Sequence, residues 1–299
     1  MPVAIKDLPS LFTDGEGVNY QVVREIKMLR DIRHANVVSA LDVLISSGTN
    51  GEQVVSIVFE LMRTDLEKIL YGGATQSLRL DEAKGYAAML LEGLAFLHSH
   101  FIYHRDIKPA NLLVANSGVL RIADFGYARY AAEPNVASSH ECCTLWYRPP
   151  ELLFGASEYD ASVDAWSAGC VVAEIGTREP LFQGTNDLDQ LAKIFQVLGT
   201  PSEATWPGVS ALRKFVTFAA NEANSLRSIL HRDLKEPFHV SKLLQGDPAS
   251  SERAFTDLVA ALLASDPKQR ASCAKALRHD FFLTARPAPA IRPHGTTSI

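Results

Sequence analysis

The segment "HRDIKPANLLVANSGVLRIADFGYAR", residues 104–129, decides the fold class of this chain. Its "HRD" ends at Asp106, Asn111 follows five residues later, and "DFG" begins at Asp124, eighteen residues after Asp106. Two apolar runs flank a turn at 116–118, so the segment predicts a pair of strands that brings Asp124 back to the loop carrying Asp106 and Asn111. The sequence therefore predicts that these three side chains form one site.

Phosphoryl transfer is the chemistry that suits these side chains. It needs a carboxylate that accepts a proton from the attacking hydroxyl and oxygen ligands that hold Mg²⁺ against phosphates. Asp106 fits the first task, and Asn111 and Asp124 fit the second because Mg²⁺ prefers hard oxygen ligands. Each short motif alone is more often an ordinary turn or a solvated side chain, so the prediction depends on the ordered set.

Composition narrows the possible partners and compartments. The chain has 299 residues, 47% of them hydrophobic, which is enough for one large core or two smaller ones. A net charge of −5 gives no reason to propose nucleic acid or an anionic membrane as a partner. No apolar run approaches a membrane span, and the N-terminus has no signal-peptide core. The four cysteines lack metal-ligand spacing, which favours a cytoplasmic or nuclear protein.

Strand patterns dominate before residue 62 and helical patterns after it. We predict a strand at 3–6, a helix over 18–33 and a hairpin over 40–61. Further helices are predicted over 81–100, 162–176, 187–198 and 254–264. This change indicates a small β-rich lobe at 1–61, a large helical lobe at 62–285 and a Pro-rich flexible tail at 286–299.

Three further motifs keep the order of one known family. "VAIK" ends at Lys6, a helical glutamate stands at Glu25, and "PPE" ends at Glu151. With these, residues 3–285 resemble the eukaryotic protein kinases, and within them the cyclin-dependent kinase group. The stretches "REIKML", "HRDIKPANLL", "ELLFGASEYDASVDAWSAGC" and "NDLDQLAKIFQVLGTPSEATWP" look most like two branches, the cell-cycle-related kinase and the cyclin-dependent-kinase-activating kinase. The resemblance implies an α+β, bilobal protein-kinase-like fold and an ATP-dependent serine/threonine protein kinase.

The resemblance assigns roles in catalysis to individual residues. Lys6 would pair the α- and β-phosphates of ATP and be held by Glu25. Asp106 would be the catalytic base, and Lys108 would contact the γ-phosphate. Asp164 would brace the catalytic loop from below.

It also assigns the residues that bind the nucleotide and its metal. Asn111 and Asp124 would hold Mg²⁺. Phe59 would lie behind the adenine pocket, and the backbones of Glu60 and Met62 would hydrogen-bond adenine. Separately, the resemblance implies a buried structural ion pair between Glu151 and Arg270.

The segment between "DFG" and "PPE" would carry regulation. "ASSHECCTLWYRPPE" resembles the activation segment of the group and places Ser139 at the activating phosphorylation site. Arg24, Arg105 and Arg129 would converge on that phosphate, which adds roughly −1.5 to −2 charge and strong acceptor oxygens. Each arginine alone would more often be solvated, so the prediction depends on their occurring together.

The end of the same segment would bind the substrate. Thr144 would bridge to the catalytic loop. Cys142, Cys143 and Arg148 lie where the family builds the pocket for a proline after the target residue, and the two cysteines fit simple apolar packing equally well. The implied partners are proteins with Ser/Thr-Pro sites, an upstream activating kinase and a cyclin or cyclin-like activator.

Two departures from the family pattern leave alternatives open. The helix reads "NYQVVRE" where the group often has "PSTAIRE", so the identity of a cyclin, and the need for one, stay open. In the family, two strands and a Gly-rich loop precede the "VAIK" strand. Here "VAIK" already stands at residues 3–6. We expect residues 1–299 alone to be poorly soluble or weakly active, and the upstream reading frame to encode a GxGxxG-like segment whose addition restores ATP binding. The alternatives are a truncated, inactive kinase-like binding module and a small-molecule phosphotransferase.

Overall fold

The computed structural model describes most of the chain. The described residues are 2–8, 12–13, 17–47, 53–72, 78, 80–131, 143–221, 226–230 and 248–282. The tail expected over 286–299 and the expected hairpin tip at Asn50-Gly51 lie outside them.

The N-terminal part is an antiparallel sheet packed on one helix. Strands β1 (Val3–Leu8), β4 (Asp42–Ser47) and β5 (Gln53–Glu60) form a sheet in the order β1-β5-β4, with Lys6 opposite Ile57. Two further short strands, β2 (Phe12–Thr13) and β3 (Gly17–Val18), pair with each other and were not predicted. In the described chain β1 is hydrogen-bonded to a strand on one side only.

Helix α1 (Tyr20–Asp31) begins where its sequence provides a cap. The side chain of Asn19 accepts hydrogen bonds from the backbone N–H groups of Gln21 and Val22, which have no partner inside the helix. Of the apolar residues at helical spacing, Val22 and Leu29 are buried and Ile26 packs against the core, and Met28 is buried as well.

Short strands and two helices follow the sheet. They are β6 (Thr64–Asp65), α2 (Leu66–Tyr71), α3 (Leu80–Ser99), β7 (Ile102–Tyr103), β8 (Leu112–Val114), β9 (Leu120–Ile122) and β10 (Arg129–Tyr130). β8 pairs with β6 and β9, and β10 pairs with β7. The predicted hairpin of the 104–129 segment is therefore present as β8 and β9, and its turn contains Gly118 at φ 86°.

The C-terminal part is helical. It contains α4 (Pro150–Leu153), α5 (Ser162–Thr177), α6 (Asp187–Leu198), α7 (Leu226–Leu230), α8 (Pro248–Leu262) and α9 (Cys273–Ala276). Helix α5 is the centre of this part, because nearly all of it is buried, including Trp166. Each predicted helix is present, but α8 begins at Pro248 rather than at 254, because proline suits the first turn of a helix.

The helical part contains a buried ion pair. Arg270 on the chain before α9 forms a bidentate ion pair with Glu151 on α4, with distances of 2.7 and 2.9 Å between the two nitrogens and the two oxygens. Both side chains are buried, so the predicted structural pair is present.

Across the described ranges, no helix combines the length and the apolar character that a membrane crossing requires.

Candidate active site

Asp106 is held by four hydrogen bonds in the loop between β7 and β8. Its Oδ1 accepts from the backbone N–H and the hydroxyl of Thr144, at 3.1 and 3.0 Å. Its Oδ2 accepts from Lys108 Nζ at 2.8 Å and from Asn111 Nδ2 at 3.0 Å. The carboxylate is thus buried and fixed in orientation, and four of the residues singled out from the sequence meet here.

Asp164 on α5 supports this loop from the helical core. Its carboxylate is fully buried and accepts from the backbone N–H groups of His104 and Arg105, at 2.8 and 2.7 Å. His98 Nε2 lies 3.0 Å from the same carboxylate. Burial alone would lower the pKa of His98, but the hydrogen bond to Asp164 raises it to about 10. The imidazole is therefore protonated and neutralises the buried carboxylate beneath the loop.

Asn111 and Asp124 are brought together by the β8–β9 hairpin. The backbone N–H of Ala123 donates to the carbonyl of Asn111 at 2.9 Å, and Asp124 follows directly. The amide nitrogen of Asn111 faces Asp106, so its amide oxygen is the atom that it could offer to a cation. Asp124 has a left-handed backbone with φ 64°, and Arg105 has φ 67°.

Lys6 connects the sheet to this site. Its Nζ lies 2.8 Å from Glu25 Oε1 and 2.9 Å from Asp124 Oδ1. Burial opposes both charges, but the mutual hydrogen bonds outweigh it, so the pKa of Lys6 is raised and that of Asp124 is lowered. Both groups are therefore charged near neutral pH.

The oxygen atoms at this site fit a magnesium–nucleotide pair. Asp124 offers a half-exposed, ionised carboxylate and Asn111 an amide oxygen, which are the hard ligands that Mg²⁺ takes alongside phosphates and water. Among the described residues there is no cluster of three or more His, Cys, Asp or Glu side chains that could hold a metal by themselves.

The predicted adenine-binding residues lie at the end of β5. Phe59 is partly buried against the core, and Glu60 and Met62 follow it toward β6. The side chain of Glu60 pairs with Arg121 at 2.6 Å, which leaves the backbone as the part of Glu60 that could face a base.

The loop of residues 143–148 joins the active site to α5. Cys143 has a left-handed backbone with φ 73°, and its carbonyl accepts from Arg148 Nη2 at 2.9 Å. Arg148 Nη1 also lies 3.1 Å from Asp187 Oδ1. Thr144 in this loop receives a 2.9 Å hydrogen bond from Lys108, so the loop is bonded to both Asp106 and Lys108.

The predicted regulatory residues are described in part. Ser139 and Cys142 lie outside the described residues. Arg105 donates to the carbonyl of Tyr127 at 2.7 Å and to the hydroxyl of Tyr159. In the described chain Arg129 Nε is buried without a hydrogen-bond partner.

Sequence reasoning missed two sets of contacts at the site. Gln21 on α1 donates to the carbonyl of Gly126 at 2.9 Å and so bonds the helix to the "DFG" segment. Tyr71 and Tyr147 both donate to Glu174 on α5. No local pattern could reveal these pairs, since 105 positions separate Gln21 from Gly126 and 103 separate Tyr71 from Glu174.

The loop of Asp106, the lysine–glutamate pair and the two-part architecture together have the arrangement of a protein kinase domain. A family model described as the protein kinase domain matches residues 1–282, so the chain belongs to the protein kinase family. The chain is 39% identical over 289 residues to cyclin-dependent kinase D-1 of Arabidopsis thaliana, with 96% of this chain and 66% of that protein covered. It is 38% identical over 283 residues to cyclin-dependent kinase 7 of Dictyostelium discoideum, with 94% and 72% covered.

A solved structure agrees with these relatives. A chain of the yeast RNA Pol II CTD kinase CTDK-1 complex superposes with a TM-score of 0.78 at 31% identity, over 96% of this chain and 87% of that one. Within the family, this chain is of the cyclin-dependent kinase group. It spans about two thirds of the length of the Arabidopsis relative.

Proposed function

We propose that this protein is an ATP- and Mg²⁺-dependent, proline-directed serine/threonine protein kinase. The observation that carries the proposal is the buried carboxylate of Asp106, oriented by Lys108, Asn111 and Thr144. A carboxylate so placed suits a base that accepts the proton of a substrate hydroxyl during phosphoryl transfer. The same proposal assigns residues 1–61 to the N-terminal lobe and 62–285 to the C-terminal lobe.

The residues around Asp106 divide the remaining tasks. Lys6, held by Glu25, would bind the α- and β-phosphates of ATP, and Lys108 would contact the γ-phosphate. Asn111 and Asp124 would hold Mg²⁺, which neutralises phosphate charge when it is bound. Phe59, with the backbones of Glu60 and Met62, would form the adenine pocket.

Selection of proline follows from the backbone at Cys143. The left-handed backbone of Cys143 directs its carbonyl to Arg148, so we propose that this oxygen is turned away from a substrate N–H. An ordinary residue after the target serine would leave its N–H without a partner, whereas proline has no N–H. Cys142 and Cys143 would provide the apolar wall of this pocket.

A Ser-Pro peptide should be phosphorylated with a kcat/KM about tenfold higher than that of its Ser-Ala counterpart, the scale of one unpaired donor. Arg148→Lys should reduce the ratio of kcat/KM between the Ser-Pro and Ser-Ala peptides, because a lysine cannot repeat the forked contact of arginine with both Cys143 and Asp187. Asp187→Asn is the matched control, since it weakens the ion pair but keeps the bond to Cys143. Equal rates on both peptides in the wild type would contradict proline direction.

Activation by phosphorylation at Ser139 is also part of the proposal. Arg105 lies in the loop between β7 and β8, Arg129 lies on β10, and Arg24 lies on α1 next to Glu25. Within the described ranges the buried Nε of Arg129 has no hydrogen-bond partner, which supports the proposal because a phosphate would supply an acceptor for it. An upstream activating kinase would then be required.

Phosphorylation of Ser139 should raise activity toward Ser-Pro peptides by about tenfold or more, because charge-assisted hydrogen bonds order the segment. Ser139→Ala should remove the rise, and the neighbouring Ser138→Ala should retain it. Arg129→Ala should reduce the rate even when mass spectrometry finds Ser139 fully phosphorylated. A rate that is independent of phosphate occupancy at Ser139 would argue against this switch.

A cyclin or cyclin-like activator fits the outer surface of the N-terminal part. Tyr20 and Val23 on α1 are exposed, as are Leu44 and Ile45 on β4. Exposed apolar side chains in such numbers are typical of a protein interface.

The proposed location of the protein is the cytoplasm or the nucleus. The resemblance to the cell-cycle-related kinase adds the cilium as a further proposed location.

A further inference from the structure

The carboxylate of Glu174 on α5 is fully buried between two tyrosines. The hydroxyl of Tyr71, at the end of α2, donates to Oε1 of Glu174. The hydroxyl of Tyr147, in the 143–148 loop, donates to Oε2 at 2.8 Å. Each oxygen of the carboxylate thus accepts a hydrogen bond from its own tyrosine.

This carboxylate depends on both hydroxyls. Burial raises the pKa of Glu174, and the hydrogen bonds from Tyr71 and Tyr147 oppose that rise. Burial and the neighbouring carboxylate raise the pKa of each tyrosine as well, so both remain donors at neutral pH. If one donor is lost, a buried oxygen is left without a partner, and the position of the carboxylate is no longer fixed.

Tyr147 transmits the position of Glu174 to the active site. Its backbone N–H donates to the carbonyl of Thr144 at 2.9 Å, and its carbonyl accepts from Ser167 on α5 at 2.8 Å. Thr144 in turn donates twice to Asp106. Two residues, Tyr147 and Thr144, therefore connect Glu174 to the carboxylate of Asp106.

Tyr71 is itself fixed by a second contact between α2 and α5. Arg178, just after α5, donates from Nε and Nη2 to the carbonyl of Leu70, at 3.1 and 2.7 Å. Leu70 precedes Tyr71 and is buried. Because this bond holds the end of α2 against α5, the hydroxyl of Tyr71 reaches Glu174 from a rigid support.

We infer that Tyr71 is a positioning residue for protein substrates, acting through Glu174 on the 143–148 loop. The inference rests on the proposed function, because that loop is the proposed substrate-binding element. Tyr71 belongs to α2, outside the catalytic segment, and no contact of its side chain with the nucleotide residues is found among the described residues. The effect should therefore fall on peptide binding and spare ATP binding.

The test is Tyr71→Phe, which removes one oxygen atom and keeps the ring. The KM for a Ser-Pro peptide should rise about fivefold, the scale of one lost hydrogen bond, while kcat and the KM for ATP change less than about twofold. Tyr86→Phe on α3 is the control, because it deletes the same atom from a buried tyrosine that does not contact Glu174, and it should leave all three constants unchanged. An unchanged peptide KM in Tyr71→Phe, or equal rises in both KM values, would overturn the inference.

Hydrogen exchange provides a readout that does not require activity. The amides of Tyr147 and Arg148 donate to Thr144 and Leu145 and should exchange faster in Tyr71→Phe than in the wild type or in Tyr86→Phe. If the wild type fails to phosphorylate any Ser-Pro peptide, the proposed function fails, and faster exchange at these two amides still supports the coupling. Unchanged exchange there would refute the coupling whatever the activity.

Discussion

Asp106→Asn should lower the rate of peptide phosphorylation by about 10²-fold or more, the usual scale for removal of a general base. Asparagine has nearly the same size, so it can stay within the contacts of Lys108 and Thr144. Its amide cannot accept the proton of the attacking hydroxyl. The measurement is the single-turnover rate on a Ser-Pro peptide at saturating ATP and Mg²⁺.

The control for this variant is Asp280→Asn, which makes the same change at an exposed position outside the site. Its rate should equal that of the wild type. A melting temperature close to wild type for Asp106→Asn would show that the fold is retained. A rate within threefold of an active wild type would, by contrast, remove Asp106 from the role of base.

Arg270→Met should lower the free energy of unfolding by about 3–5 kcal/mol, because it leaves the buried carboxylate of Glu151 without its partner. The guanidinium also donates to the carbonyls of Ser162 and Ala264 and lies 5.0 Å from the ring centroid of Trp166. Its loss thus affects α4, α5 and the segment before α9 together. Urea unfolding of the wild type and of Arg270→Met at the same pH measures the difference in the free energy of unfolding.

Two further variants separate the unpaired charge from the lost packing. Arg121→Met breaks a partly exposed pair with Glu60 and should cost less than about 1 kcal/mol. The double variant Glu151→Leu/Arg270→Met should recover much of the stability, since an apolar pair of similar volume replaces a buried ion pair at little cost. A double variant as unstable as the single one would show that packing around Arg270, rather than its charge, dominates.

Much of the fold could be predicted because the decisive patterns are local. Apolar spacing located α1, α3, α5 and α6 to within one or two residues, and the two apolar runs of the 104–129 segment predicted β8 and β9. Boundaries were missed where capping rather than periodicity sets the end. α1 starts at Tyr20 because Asn19 caps it, although the apolar pattern already begins at Val18.

The contact of Lys6 with Glu25 and the contacts of Asp106 with Lys108 and Thr144 follow residue types that the family keeps in order, while the roles assigned to these residues remain predictions. The contacts of Gln21 and Tyr71 could not be predicted, since their partners are a carbonyl and a buried carboxylate on distant segments. A glutamine or tyrosine on a half-exposed helix face has no local property that marks such a partner. Only the packing of α1 on the "DFG" segment, and of α2 on α5, creates these bonds.

Three residues of the site share one unusual backbone geometry. Arg105, Asp124 and Cys143 all have positive φ although none is glycine, and each such residue costs about 1–2 kcal/mol. Their combined cost is a sizeable share of the roughly 5–15 kcal/mol by which a typical protein is stable. The helical core thus keeps the loop of Asp106, the proposed metal ligand Asp124 and the 143–148 loop in conformations that an isolated chain would not keep. The backbone at these three residues therefore reaches its strained conformation during folding. Little further backbone rearrangement is then needed when a substrate reacts.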